Sequence, residues 1–381
     1  MLRATLACGA CLGILAVLVA PAVAVTDDDV WKAIDKAKEY IVSRQLAGGL
    51  WPEEKLPEGA GEVGTSETVF FTLAYMGEHP NRDYMGKALD AILKRSLDTT
   101  YAVSMRAMGL AYIRNKLGRP TKMYEEVNKA LHYEALWLVQ AQGSHGGWGP
   151  KPLGGRDGPC DFANTQVAIH ALREATEAGI EIPPGVWQRT QQLYFSRQQP
   201  DGGWNSGDPS NKDIGAGGPS SGSMTAAAIA SVFITWDQLE KGTACPCRGG
   251  DAAKASGELV RRTDLAMAWL SKEFRIDKSA KGPGSMAGTD CYWLYAAEQA
   301  ALASGTKYFG SHDWYKEGAE RLVKTQAADG SWGNLPNTCL GVLFLYTGRG
   351  PLFINKLWFE GDWNSHPRDL ARAIPVLGAY Y

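Results

Sequence analysis

The sequence predicts an all-α fold, an (α/α)6 toroid in which six pairs of helices form two concentric rings. Three observations predict it. Hydrophobic residues recur with the period of a helix along most of the chain, and the alternating pattern of a β-strand is almost absent. Amphipathic segments alternate with segments that are apolar on nearly every side. A Gly-rich turn that ends in tryptophan recurs between them.

The two kinds of segment predict where each helix lies. A one-faced helix such as the first, with Trp31, Ile34 and Ile41 on one side, packs on the outside, whereas a helix that is apolar all round must be buried on all sides. The predicted outer helices are 28–44, 83–96, 120–141, 184–198, 255–274 and 312–327. The predicted inner helices are 65–76, 101–116, 162–178, 222–240, 288–304 and 337–347. Because each pair buries its faces only against its neighbours, residues 25–349 should fold as one domain.

The recurring turn combines a glutamine, glycines and a tryptophan. Glycine permits a positive φ, a glutamine amide can bond the open groups at a helix end, and an indole buries a large apolar area. We therefore interpret the turn as scaffold rather than as a site of chemistry. Its predicted structural residues are Gln45, Trp51, Gln140, Trp148, Gln198, Asp201, Gly203, Trp204, Gln326, Asp329 and Trp332.

The N-terminus predicts export. Arg3, the apolar stretch 12–19 and the ending Ala22-Val23-Ala24 together are typical of a signal peptide spanning residues 1–24, with an uncleaved anchor as the alternative. The mature chain is then expected in the periplasm or outside the cell, free of the membrane. A net charge of −2 with scattered Lys and Arg does not favour nucleic-acid binding.

Five cysteines remain after removal of the signal segment: Cys160, Cys245, Cys247, Cys291 and Cys339. Because five is an odd number, at least one thiol stays free or pairs between chains.

Two of the turns carry a family resemblance. QQPDGGW at 198–204 and QAADGSW at 326–332 resemble the QW repeats of squalene–hopene cyclases and protein prenyltransferase β subunits, in particular uncharacterised exported bacterial members. The resemblance covers most of 28–347 and implies a toroid whose chemistry lies where the inner helices begin. Residues 350–381 resemble a segment that leads, in large exported proteins of this kind, into a further C-terminal domain.

The resemblance also supplies two tests of chemistry, one for the cyclases and one for the zinc enzymes. In the cyclases an Asp-x-Asp-Asp-Thr-Ala run protonates an alkene, and residues 161–166, DFANTQ, resemble it. Asp161 matches the first aspartate, but the proton donor's position is Ala163 and the last carboxylate's is Asn164. This departure counts against squalene-type cyclisation.

Zinc prenyltransferases carry an Asp-x-Cys pair and a later helix that opens with histidine. Here Asp290 and Cys291 lack the spacer, and Asn337 stands at the histidine's position. Zinc needs three or four well-placed ligands, so we expect no metal and no cofactor. A disulfide between Cys291 and Cys339 is an alternative use of these residues after export.

Two hypotheses of different classes remain, and whether the protein is an enzyme stays open. In the first, the toroid binds an apolar or isoprenoid, glycan or protein ligand in its central cavity; the alternative is that its aromatic rings only fill that space. The candidate ligand-binding residues are Phe71, Tyr101, Phe162, Asn164, His170, Tyr292 and Trp293.

In the second hypothesis the protein is a lyase or hydrolase that acts on a polysaccharide outside the cytoplasm. Glu67, Asp161 and Asp290 would be its acids and bases, gathered on one rim of the ring. Squalene-type terpene cyclisation is the third possibility.

Overall fold

The computed structural model describes residues 25–56, 63–118, 121–210, 218–240, 251–277 and 291–348. Several predicted features lie outside the described residues: the signal segment 1–24, Cys245, Cys247, Asp290 and the tail 350–381.

The fold is all-α, as predicted, and each predicted helix has a counterpart. The described residues form twelve helices: α1 Asp27–Ser43, α2 Thr65–Tyr75, α3 Asp83–Ile92, α4 Thr100–Lys116, α5 Lys122–Ala141, α6 Phe162–Glu177, α7 Pro184–Arg197, α8 Gly222–Glu240, α9 Asp251–Glu273, α10 Cys291–Ser304, α11 Trp314–Thr325 and α12 Leu335–Thr347.

One short hairpin, which periodicity did not predict, precedes α11. Strand β1 (Tyr308–Phe309) pairs antiparallel with β2 (His312–Asp313), and Gly310 adopts a positive φ of 62° in the turn between them. Helix α11 therefore begins at Trp314 rather than at 312. Asp313 caps it by accepting the backbone N–H of Lys316.

The even-numbered helices contact one another in a closed circuit. Helix α2 packs on α4, α4 on α6, α6 on α8, α8 on α10 and α10 on α12, and α12 returns to α2. Their burial fits this position, since all residues of α2 from Thr65 to Ala74 are buried, whereas α1 buries a single face. The odd-numbered helices pack against this circuit, for example α3 on α2 and α5 on both α4 and α6.

The glutamines of the recurring turns join successive odd-numbered helices. Each side-chain amide donates to the glycine carbonyl four residues later and to a backbone carbonyl of another odd-numbered helix. These second acceptors are Tyr84 for Gln45, Val186 for Gln142, Arg262 for Gln198 and Ala33 for Gln326. Gln326 thus links α11 to α1, so the first and last parts of the described chain meet.

In the second of these turns the glutamine is Gln142, not the predicted Gln140. Gln142 is buried and also bonds Thr190, whereas Gln140 is exposed on α5. Only Gln142 stands four residues before Gly146, whose positive φ of 95° turns its carbonyl toward the amide. The prediction was therefore two residues out of register.

The tryptophans tie each turn to the helix that follows it. Every indole N–H donates to a carbonyl ten residues earlier, on the preceding helix. Every tryptophan backbone N–H donates to a hydroxyl in the first turn of the next even-numbered helix. These hydroxyls belong to Ser66, Thr165, Thr225 and Thr338. The turns therefore close the N-terminal ends of α2, α6, α8 and α12.

Candidate functional site

Glu67, a predicted rim carboxylate, is a buried ion-pair member. It lies in the first turn of α2, and none of its surface is exposed. Its Oε1 is 3.3 Å from Arg95 Nη1, and Arg95 also reaches Glu53. Burial raises the pKa of Glu67, and the Arg95 guanidinium opposes that rise. With no exposed oxygen, Glu67 has no path to a polymeric substrate in this conformation.

Asp161, the second predicted carboxylate, is the N-cap of α6. One carboxylate oxygen accepts the backbone N–H of Asn164 at 2.7 Å, and the other accepts the Asn164 side-chain amide at 2.8 Å. Burial raises the pKa of Asp161, and the bonds from Asn164 lower it. The third candidate, Asp290, lies outside the described residues. The two described carboxylates thus have separate structural partners.

The predicted ligand-binding residues divide into two groups by their position in the fold. Phe162 is buried and stacks on Tyr194 at 5.0 Å between centroids, and buried Trp293 donates its indole N–H to Arg275. The Tyr101 and Thr68 hydroxyls lie 3.1 Å apart in the core. Asn164 is engaged by Asp161, as above. These four positions were predicted because they lie near the starts of inner helices, here α4, α6 and α10, and all four are buried.

Tyr292, Phe71 and His170 form the second group, in which only Tyr292 is partly exposed. Tyr292 is half-buried, and its hydroxyl donates to Gln166 Oε1 at 3.3 Å, which joins α10 to α6. Phe71 packs edge-on to Tyr75, at 5.8 Å between ring centroids. His170 is buried on α6 and faces the charge of Arg173.

An aromatic cluster, defined as Phe71, Tyr75, Tyr112, Tyr295 and Tyr346, joins four even-numbered helices. Tyr75 lies 4.9 Å from Tyr112 and 6.0 Å from Tyr346, ring centroid to ring centroid. Tyr295 is an electrostatic neighbour of both Tyr75 and Tyr112. Tyr75, Tyr112 and Tyr346 are only partly buried, although they lie on helices that are otherwise buried almost all round. The cluster is therefore a wall that solvent reaches.

The cluster continues outward to Trp31 of α1. Trp31 packs edge-on to Tyr346 at 6.2 Å between ring centroids, and 43% of it is exposed. Lys116 Nζ and the Tyr346 hydroxyl both lie beside Gly77 at this end. A row of rings thus runs from the surface at Trp31 to buried Phe71.

Polar groups adjoin the inner side of the cluster. Arg173 of α6 binds Glu174 through Nε at 3.0 Å and Nη2 at 2.5 Å, and 34% of its side chain is exposed. Glu298 of α10 is fully buried, and neither of its oxygens has a hydrogen-bond partner among the described residues. Burial raises the pKa of Glu298 well above its ordinary range. Burial and Arg173 lower the pKa of His170, which is neutral.

Of the cluster, only Phe71 was predicted from the sequence, because the other predictions concentrated on the starts of the inner helices. Tyr75 and Tyr346 lie in the last turns of α2 and α12, Tyr112 lies in the last turns of α4, and Arg173 lies in those of α6. The available signal was a polar or phenolic residue near the C-terminal end of α2, α4, α6 and α12; Tyr295, the fifth described residue of α10, had no such signal.

The cysteines supply neither a metal site nor a bridge in the described part of the chain. Cys160, Cys291 and Cys339 are buried and form no disulfide, so the alternative of a Cys291–Cys339 bridge is not found. Burial raises the pKa of Cys339 to about 12, which leaves its thiol protonated and unreactive. Within the described ranges, no three His, Cys, Asp or Glu side chains are grouped to hold a metal ion. None of the described helices is long and apolar enough to cross a bilayer.

Comparison with known proteins gives the fold. No family model and no curated protein matches the chain. Among solved structures, it is similar to a variant of the type II terpene cyclase MstE from Scytonema in complex with its substrate, geranylgeranyl dihydroxybenzoate. The TM-score is 0.50 at 11% identity, over 85% of this chain and 98% of that one. The apo form of MstE gives a TM-score of 0.49 at 12% identity, over 85% and 99%. The fold is thus terpene cyclase-like.

Proposed function

We propose that the protein is a toroid that binds an apolar chain, such as an isoprenoid, between its even-numbered helices, with the aromatic cluster as part of the wall. The closed circuit α2–α4–α6–α8–α10–α12 would be the inner ring, and the odd-numbered helices would be the outer one. The observation that carries this proposal is the row of rings from exposed Trp31 through Tyr346 and Tyr75 to buried Phe71. Rings that line a recess favour apolar ligands because they offer a large area for burial.

We propose further that this binding takes place without cyclase or zinc prenyltransferase chemistry. Ala163 and Asn164 replace the carboxylates that the cyclase motif requires. Glu298, a buried carboxyl that interacts electrostatically with Tyr75 and Tyr295, is a poor substitute, because a raised pKa makes it a weak acid and protonation of an alkene needs a strong one. Incubation of the protein with squalene, followed by gas chromatography, tests this part; a cyclised product would contradict it.

The polysaccharide lyase or hydrolase has no comparable support. Glu67 is paired with Arg95 and Asp161 caps a helix, so each of them has a structural explanation. A glycan or protein ligand remains an outcome that the binding test can reveal.

Equilibrium binding of the C15 hydrocarbon farnesene and the matching alcohol farnesol tests the proposal. We expect at least one of them to bind with one site per chain. Tyr112→Ala should weaken binding about fivefold or more, since loss of one ring contact costs on the order of 1 kcal/mol or more. The matched control is Tyr133→Ala, which removes a ring that is 62% exposed on the outer side of α5. If both variants bind like the unchanged protein, the cluster is not the binding wall.

Export is a separate proposal, which rests on Arg3, the apolar stretch 12–19 and the Ala22-Val23-Ala24 ending. The N-terminal sequence of protein secreted by a bacterial host should begin at Val25. A chain that retains residue 1 in the membrane fraction would favour the uncleaved anchor. The resemblance of the turns to QW repeats likewise stays a proposal about ancestry.

A further inference from the structure

The charges beside the aromatic cluster cancel one another. Arg173 supplies one positive charge, and Glu174 neutralises it through two hydrogen bonds to the same guanidinium. Both are electrostatic neighbours of Tyr75 and Tyr112, so the pair belongs to the wall of the cluster. Its partly exposed guanidinium can bond a ligand atom while Glu174 stays in place.

The other polar groups at this place are buried side-chain atoms without hydrogen-bond partners among the described residues. Glu298 is an electrostatic neighbour of Tyr75 and Tyr295, and the Gln299 side chain interacts with it outside hydrogen-bond geometry. His170 Nε2 also has no hydrogen-bond partner among the described residues. A buried polar atom without a partner is costly, and a ligand that donates or accepts a hydrogen bond would remove that cost.

The helix ends add a negative contribution. Helices α2, α4 and α12 end at or near Tyr75, Lys116 and Tyr346, so their C-terminal carbonyls lie at this end of the circuit. The C-terminus of a helix carries roughly half a negative charge. An anion placed here would face these dipoles and a guanidinium that Glu174 already neutralises, and an uncompensated buried charge is unfavourable.

We propose that the ligand of the aromatic cluster carries an uncharged polar head, a hydroxyl on an apolar chain, bonded beside Arg173, and that the site rejects a phosphate or diphosphate head on the same chain. This proposal rests on the proposed function, because it specifies the head group of the apolar ligand. A hydroxyl both donates and accepts, so it can bond the guanidinium or the unpartnered atoms of Glu298 and His170 without adding charge.

Lys116 is a second cation near the aromatic cluster, at its outer edge. Lys116 Nζ lies beside Gly77, with the Tyr346 hydroxyl near the same residue, and burial lowers the pKa of Lys116. The negative charge of Glu78 counteracts this lowering, and Glu78 also forms an ion pair with Lys38 at 3.0 Å. Lys116 is therefore part of an outer charge group, distinct from the Arg173–Glu174 pair.

The test compares farnesol with farnesyl diphosphate, two ligands that share one chain. Isothermal titration calorimetry on the full mature protein should give at least tenfold tighter binding of farnesol. Glu174→Gln keeps the size of the side chain and leaves Arg173 without its counter-charge, so it should reduce that ratio at least tenfold. The matched control is Glu258→Gln, which removes a carboxylate from an Arg–Glu group on α9, at Arg261 and Arg262. It should leave the ratio unchanged.

Each result separates the two proposals. If farnesene binds at the cluster but farnesol has no advantage over the diphosphate, the head-group proposal is wrong and apolar binding stands. If none of the three ligands binds the folded protein, apolar binding itself fails. An affinity for farnesol that falls at least tenfold in Lys116→Met, with a preference over the diphosphate that Glu174→Gln leaves unchanged, would place the head at the rim and overturn the assignment to Arg173. Circular dichroism of each variant confirms that it is folded.

Discussion

Removal of Arg106 tests the buried ion pair that joins α4 to α5. Arg106 Nη2 lies 2.6 Å from Glu134 Oε1, and both residues are almost fully buried. The same guanidinium donates to the carbonyls of Ile92 and Arg95. Arg106→Met would leave Glu134 in an apolar site without a cation, and breaking a buried pair in this way costs about 3–5 kcal/mol.

The loss of stability in Arg106→Met should depend on pH, because the Glu134 carboxyl titrates. Burial raises the pKa of Glu134 to about 7, against an ordinary value of 4.5, while Arg106 opposes the rise. A raised carboxyl pKa means that the folded state holds the proton more tightly, so stability is lost as pH rises from about 4.5 to the folded-state pKa. In the unchanged protein this loss levels off above about pH 7.

In Arg106→Met the pKa of Glu134 should rise further, so the loss continues beyond pH 7. At 1.36 kcal/mol per pH unit, keeping the carboxyl protonated costs about 5 kcal/mol at pH 8 and about 1 kcal/mol at pH 5. The variant should thus lose about 4 kcal/mol between these pH values. The double variant Arg106→Met/Glu134→Leu lacks this carboxyl, so its stability should not fall with pH on account of residue 134. At pH 8 it should be more stable than the single variant Arg106→Met.

Urea unfolding followed by circular dichroism at pH 5, 6.5 and 8 measures these differences. The comparison of the single and double variants isolates Glu134, because both lack the Arg106 hydrogen bonds. Parallel pH curves for the two variants would refute the description of Glu134 as a buried carboxyl that depends on Arg106.

Three further predictions concern local structure. Gln142→Leu should lower the free energy of unfolding by about 1–3 kcal/mol, because it leaves buried carbonyls unbonded, whereas Gln140→Leu should change it by about 0.5 kcal/mol or less. Gly146→Ala should lower the melting temperature sharply, since the new Cβ would lie 2.3 Å from the Arg189 carbonyl oxygen; Gly154→Ala, also at positive φ but with nothing within 4 Å, should cost about 1 kcal/mol. Asp161→Asn preserves an N-cap, so it should leave stability and ligand binding nearly unchanged; loss of a measured activity in this variant alone would instead make Asp161 catalytic.

The helices were predictable because their signal is local. Period and burial type are properties of ten to twenty consecutive residues, and a helix such as α1 shows both in its own sequence. The hairpin at 308–313 has two-residue strands, too short for a period to be visible. The incorrect choice of Gln140 was avoidable. Gln142 lies four residues before Gly146 and six before Trp148, and the other three turns have the same two spacings.

The aromatic cluster was not predictable in the same way. Tyr75, Tyr112, Tyr295 and Tyr346 are separated by tens to hundreds of residues, and they meet because α12 packs back onto α2. Periodicity identifies each helix as buried but does not show which of its ends is open. The resemblance to cyclases directed attention to the starts of the inner helices, where Glu67 and Asp161 lie.

The turns explain why the two ends of the circuit differ. At the N-terminal ends, hydroxyls such as those of Ser66 and Thr165 bond the tryptophan backbone, and large indoles cover the junction. A carboxylate at these N-terminal ends caps the helix or forms an ion pair, since the unbonded helix amides and the positive end of the helix dipole favour a negative charge there. No such turn covers the C-terminal ends at Tyr75 and Tyr346, which stay partly exposed in the part of the chain that the structure describes. A ligand site in this scaffold is therefore expected at the end opposite the tryptophan turns, and a bound probe that contacts Ser66 or Thr165 instead would contradict that expectation.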